Sequence, residues 1–286
     1  MSTKTVSTWL YRHPRGRLAL LLSTPMTWLV VAYLGSLGAL LISAFWAVDD
    51  FTGNLTHAFT LNNFHILLTQ SVYRTIALRT LGVAIAVTVI DALIAIPVAF
   101  FLAKVLHPRY RNFAVALVLL PLWASYLVKA YAWRTLFSEG GVIDWLGKPV
   151  GVHNPGFGLV AITITLGYLW LPYMILPIYA GFERLPDSLL EASSDLGATS
   201  AKTFRSVIIP TIYPSIVAGS LFTFSLTLGD YIVANIVGGK VQLMANVIKD
   251  SNSINMPFAA AATAFPIITI LGYLLFVRRT GALENV

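Results

Sequence analysis

Six stretches, residues 18–46, 80–106, 113–133, 159–182, 212–237 and 257–277, each run for about twenty positions or more with few or no charged side chains. Each can cross the ~30 Å hydrocarbon layer of a bilayer, which takes about 20 apolar residues in a helix. Inside hydrocarbon every backbone N–H and C=O must be paired within the protein, so continuous apolar runs of this length form helices. The chain as a whole agrees, with 57% apolar and 11% charged residues over 286 positions, unlike a soluble globular domain. The expectation is an all-α membrane protein with six transmembrane helices. Residues 1–17 precede the bundle, 18–279 form it and 280–286 are a short tail, with no separate soluble domain.

Lys and Arg orient the bundle, because loops kept in the cytoplasm carry the excess. An even number of spans puts both termini on one side. That side holds twelve of the nineteen basic residues: Lys4, Arg12, Arg15, Arg17, Lys104, Arg109, Arg111, Arg184, Lys202, Arg205, Arg278 and Arg279. Opposite lie Arg74, Arg79, Lys129, Arg134, Lys148, Lys240 and Lys249. Both termini are therefore expected in the cytoplasm. The basic N-terminal run resembles the start of a signal peptide, but the apolar stretch to residue 46 is too long for one and shows no small-x-small cleavage pattern. It is read as a retained first span. The net charge of +7 then reflects this bias and attraction to anionic lipid, not nucleic acid.

Catalytic chemistry finds little to work with. There is no cysteine, so disulfides, thiolate zinc sites and iron–sulfur clusters are excluded. His13, His57, His65, His107 and His153 have no metal-ligand spacing, and no GxxxxGK[ST] phosphate loop occurs. No Ser/His/Asp or paired-carboxylate arrangement suggests hydrolysis. If ATP drives this chain, another chain must bind it.

The most informative polar insert lies between the fourth and fifth stretches, at residues 187–210. Ser188 with Glu191 three residues on has capping-box spacing, and Asp187 is an alternative cap, so a helix is predicted here. Gly197 supplies its stop. Thr199 or Ser200 can cap a second short helix over 201–209, which Pro210 would end before the fifth span. Phe204, Val207 and Ile208 share its apolar side.

Glu191-Ala192, then Gly197, Val207, Ile209 and Pro210 resemble the EAA signature (E-A-A, three residues, G, nine residues, I-x-L-P) of permease subunits of binding-protein-dependent ATP-binding cassette importers. Ser193 replaces the second alanine. The resemblance implies a type I importer-like, MetI-like bundle in a bacterial inner membrane. In it Glu191, Ala192, Gly197 and Pro210 would form the cytoplasmic element that couples to the ATPase. Implied partners are a second permease, two ATPase subunits and an extracytoplasmic solute-binding protein. ATP would sit on those ATPases, with no cofactor on this chain, which is not an enzyme by itself. The loops at 49–73 and 138–158 hold amphipathic pieces suited to meeting the binding protein or to resting on headgroups.

Charges within spans are costly and normally face a partner or an aqueous cavity. Asp91 lies mid-span, and Asp230 sits beside Gly229, ahead of Gly238-Gly239, where the helix is expected to open. Each reads either as a solute-path carboxylate or as a structural hydrogen-bonding group. Tyr231, Trp123 and Tyr126 are aromatic path candidates, able to hold an ammonium by cation–π contact or to serve as packing. Leu228-Gly229-Asp230-Tyr231 to Gly239, Val247-Ile248-Lys249 and Leu119-Leu120-Pro121-Leu122-Trp123 look like the spermidine/putrescine branch of the same family. That branch implies a small, polar, cationic solute such as a polyamine; its other members take iron, thiamine, phosphonates or opines. The competing class is a secondary transporter or channel driven by an ion gradient, with Asp91 and Asp230 as proton sites. It offers no reason for the EAA pattern, and no paired broken inverted repeat is evident.

Overall fold

The computed structural model describes residues 14–49, 52–151 and 154–279. Residues 1–13 and the tail 280–286, with Lys4, Arg12 and His13, lie outside the described residues, as does His153. Among the described residues, five helical stretches are long and apolar enough to cross a membrane, and a bent pair makes a sixth if it is counted as one span.

Span one is α1 (Pro14–Trp28), a π-helical stretch (Leu29–Leu34) and α2 (Gly35–Ser43). Most of it stands clear of the other helices; its end meets the rest where Leu40 and Ala44 pack on Ala260 and Ala261. A two-residue hairpin follows, β1 (Ala47–Val48) with β2 (Leu55–Thr56), an addition to the all-α expectation. Then come α3 (Asn62–Thr69) and span two, α4 (Ser71–Phe100), prolonged by a π stretch, Phe101–Val105. Span two begins nine residues earlier than expected, so Arg74 and Arg79 lie in its first turns rather than in a loop. Their long aliphatic stems let a charged head leave an apolar helix end.

Span three departs further. A single helix over 113–133 is expected, but α5 (Pro108–Trp123) and α6 (Tyr126–Phe137) meet at an 88° bend. Pro121 removes one helical hydrogen bond just ahead of the break, and Ala124 and Ser125 are extended. The short α7 (Val142–Gly147), which carries Trp145, lies within the amphipathic 138–158 loop.

Span four, α8 (Leu159–Arg184), is the hub, packed on both α4 and the helix of span five, which also touch each other. Two buried clusters stack along it. One gathers Val83, Val87, Leu166, Leu169, Val233 and Val237; the other gathers Ala99, Leu102, Met174, Phe182, Leu185, Ile208 and Ile212. Gly219 permits the close approach of span five, since a Cβ there would stand 2.8 Å from Met174 Sδ and 3.1 Å from its carbonyl oxygen. Lipid tails are as apolar as Leu, so membrane helices gain from such backbone proximity.

After α9 (Asp187–Asp195), span five runs from α10 (Ser200–Thr203) through a π stretch (Phe204–Ile208) into α11 (Ile209–Leu228). It corrects two expectations: the second short helix is the first part of this span, and Pro210 does not end it. The π stretch immediately before Pro210 loosens the ladder where the ring would otherwise crowd a carbonyl. The expected fifth span at 212–237 instead stops at Leu228, and α12 (Ile232–Val237) is separate. The chain closes with α13 (Met244–Asn252) and span six, α14 (Met256–Ala262) with α15 (Ala264–Arg279).

Candidate functional site

Two polar features interrupt the apolar bundle. The first is the α9–α10 unit. Gly197 at φ 72° is the left-handed residue that ends α9, and its N–H donates to the Ser194 carbonyl at 2.8 Å. Thr199 then caps α10, its hydroxyl accepting from the Lys202 N–H at 3.4 Å. The helix–turn–helix read from the sequence is present. Its start differs from expectation: Pro186 stands at the N-cap without a side-chain cap, so neither Asp187 nor the Ser188–Glu191 box closes it. Asp187 accepts instead from Lys104 Nζ at 2.6 Å.

Ser193 is 9% exposed, and its hydroxyl lies 2.8 Å from that of Thr203, tying α9 to α10. Around this tie the unit presents an open face. Glu191, Ala192 and Gly197 are exposed, and Leu196 is 88% exposed. No hydrogen bond or ion pair within the described residues engages the Glu191 carboxylate. A carboxylate, an alanine and a bare leucine thus lie exposed together on one short unit. Pro210, further along span five, is exposed on that helix.

The second feature is the break after α11. Asp230 is 8% exposed. Its carboxylate accepts from the Tyr126 hydroxyl across the bundle and from the Val233 N–H at 2.9 Å, which starts α12. Tyr126 stacks on Trp170, 5.8 Å between ring centres. The Tyr231 ring lies 5.7 Å from the Lys249 ammonium, so a cation of this chain already occupies its face. Asp230, Tyr126 and Tyr231 therefore come together at one break, while Trp123, across the bend from Tyr126, is 91% exposed. Asp91 lies apart. It is 1% exposed, its carboxyl faces Gly167 of α8, and neither oxygen finds a hydrogen-bond partner among the described residues.

The polar groups that hold this break were not singled out by sequence reasoning. Asn246, 1% exposed, donates to the Tyr231 carbonyl at 3.1 Å and to Asn235 Oδ1 at 2.7 Å, and accepts from the Leu243 N–H at 3.1 Å. Thr80 of α4 accepts from the Met244 N–H at 2.9 Å. Uncharged residues near loop ends carry no sequence signal of such pairings; only the Gly229 and Gly238-Gly239 punctuation hinted at a break.

Residues 88–279 match the family model described as binding-protein-dependent transport system inner membrane component. The chain is 43% identical over 296 residues to the inner membrane ABC transporter permease protein YdcU of Escherichia coli (strain K12), covering 98% of this chain and 94% of that protein. It is 35% identical to the spermidine/putrescine transport system permease protein PotB of Haemophilus influenzae, covering 76% of each. Its fold superposes on a chain of the bacterial alginate ABC transporter in complex with alginate pentasaccharide-bound periplasmic protein. The TM-score is 0.72 at 17% identity, over 95% of this chain and 97% of the other. A chain of the MetNI methionine ABC transporter gives a TM-score of 0.57 at 16% identity, over 78% and 97%.

Proposed function

Because the chain belongs to the family of binding-protein-dependent transport system inner membrane components, we propose that it forms the solute path of an ATP-driven importer for a small polyamine such as spermidine or putrescine. The observation that carries the importer role is the exposed α9–α10 unit, a rigid face of Glu191, Ala192 and Leu196 beyond the end of the bundle. The chain has no phosphate loop of its own, so this face would receive work from ATPase subunits. Similarity to PotB supports the solute class.

In this reading a second permease pairs with the chain, two ATPases sit beneath them and an extracytoplasmic binding protein delivers solute. Both termini and the α9–α10 unit would then lie in the cytoplasm, an orientation that the Lys and Arg excess supports. ATP binding draws the ATPases together. The helix–turn–helix passes that motion to spans four and five, its own chain neighbours, as a rigid-body shift that alternates the opening of the path. Asp230, Tyr126 and Tyr231 contribute acceptors and an aromatic face to it. The Lys249 ammonium lies over the Tyr231 ring at 5.7 Å, so a solute ammonium would have to displace it to use that face. Asp91 would act within the packing of α4 on α8, and Trp123 would face lipid or the second permease.

Gly197→Asp tests the reading. A side chain at φ 72° is strained by about 1–2 kcal/mol, and its charge enters the docking face. The variant is expected in the membrane at normal level, with spermidine uptake lost and either ATPase co-purification lost or ATP hydrolysis running without uptake. Normal uptake with a normally bound ATPase rejects the coupling role of the segment.

A further inference from the structure

α9 has covalent ties to spans four and five, its neighbours in the chain. It also reaches span two, through Leu190 packed against the buried cluster that holds Ala99, Leu102 and Ala103, and through one polar clamp. Lys104 projects from the π stretch that ends span two, and its ammonium donates at 2.6 Å to the Leu185 carbonyl and at 2.6 Å to Asp187 Oδ1. Leu185 and Pro186 are the whole connection between α8 and α9, so this one side chain grips the link and the first residue of the docking helix together. The Lys104 side chain is only 13% exposed, and Leu185 is 1% exposed.

The carbonyl of the preceding residue, Ala103, accepts from Arg111 Nη2 at 2.6 Å, bringing the first turn of span three onto the same end of span two. Two π stretches meet here as well. Leu102 and Ala103 of span two share one buried cluster with Leu185 and with Ile208 of span five. π turns are rare and recur at functional positions.

From this geometry we infer that Lys104 is a positioning residue for energy coupling: it makes span two move with α9 when the ATPases close. The inference rests on the importer reading above and names the route by which that motion reaches a span with no covalent link to the docking unit. The two bonds are not equivalent. Asp187 is 75% exposed, and an exposed ion pair holds little. The charge-assisted bond to the Leu185 carbonyl lies against the buried cluster and is the stronger tie.

The test uses the whole importer, purified with its ATPase subunits and binding protein and placed in proteoliposomes, with radiolabelled spermidine as probe. In Lys104→Met the ATPase subunits co-purify as in the unaltered complex, but spermidine imported per ATP hydrolysed falls about tenfold, within the usual span of coupling between distant sites. Asp187→Asn stays near the unaltered ratio. Because the chain lacks cysteine, Lys104→Cys can be treated after assembly with an aminoethyl or a methyl methanethiosulfonate. The aminoethyl adduct restores an ammonium of lysine-like reach and recovers the ratio; the methyl adduct does not.

An unaltered ratio in Lys104→Met overturns the inference. So does loss of the ATPase subunits in that variant, which would assign Lys104 to assembly, and so does equal behaviour of the two adducts. An unaltered complex that retains no ATPase subunit overturns the importer reading instead. One that binds and hydrolyses ATP without importing spermidine overturns only the choice of solute, and the ratio is then replaced by stimulation of ATP hydrolysis by the binding protein.

Discussion

Ser193 fills the place of an alanine in the EAA pattern, and its hydroxyl, 2.8 Å from that of Thr203, gives the replacement a use that alanine could not. Asp230 shows the converse, a residue conspicuous in sequence whose surroundings explain much of it. A carboxylate is visible in an apolar run because burying it unpaired is costly. Its partners, the Tyr126 hydroxyl and the Val233 N–H, are 104 and three positions away, and only the nearer one was foreseeable, as part of an opened helix. We expect Asp230→Ala to lower stability by about 1–3 kcal/mol, because it leaves a buried hydroxyl and a helix-starting N–H without an acceptor. The Asp230→Ala/Tyr126→Phe double variant should cost less than the sum of the single changes. Thermal unfolding of the detergent-purified complex checks this, and strict additivity would mean that the two groups do not act as a pair. Asp230→Asn, which keeps an acceptor, should retain most of the stability. Its spermidine uptake at matched expression then isolates the charge: an unchanged rate dismisses a charge role for Asp230 in the path.

Among the elements, spans two, four and six were legible from apolar length, because each crosses as one helical stretch without a sharp bend. Spans three and five were misread for one shared reason. Apolar length reports that a segment lies in hydrocarbon but is blind to direction within it, so the 88° turn at Ala124-Ser125 stays hidden inside a continuous apolar run, whereas the break at Gly229 was signalled only by its glycines and not by length. Proline was read too simply as a stop. Pro210 sits in a helix continuous from Ser200 to Leu228, its ring exposed and the turn before it already π-helical. Pro210→Ala is therefore expected to change stability by less than about 1 kcal/mol, well under the ~3 kcal/mol scale of an interior proline. A loss of several kcal/mol in thermal unfolding would restore the idea that this proline sets a helix boundary.

Across the whole molecule, α8 anchors two stacked cores, and long-range polar clamps fix the broken elements to it and to span two. The Thr80 hydroxyl accepts from the Met244 N–H, 164 residues away, while donating to the Ile76 carbonyl at 2.8 Å. Thr80→Val preserves shape and strands the Met244 N–H, so a loss of about 1–3 kcal/mol is expected. An unchanged unfolding midpoint would show that this clamp contributes nothing to joining α13 and span two. The sequence by itself determined that the chain lives in a bilayer as a helical bundle, and that one polar insert carries a helix–turn–helix with a left-handed glycine. Those properties follow from local composition and from the backbone's need for internal hydrogen bonds, and they survive any arrangement of the helices. Tertiary structure alone decided that Asp230 meets Tyr126, that Asp91 faces Gly167 without a partner among the described residues, and that Lys104 closes on Leu185 and Asp187. Each depends on which helix faces which and at what height, and in a bundle of uniformly apolar spans packing of small residues and a few buried polar contacts sets that choice, not periodicity along the chain.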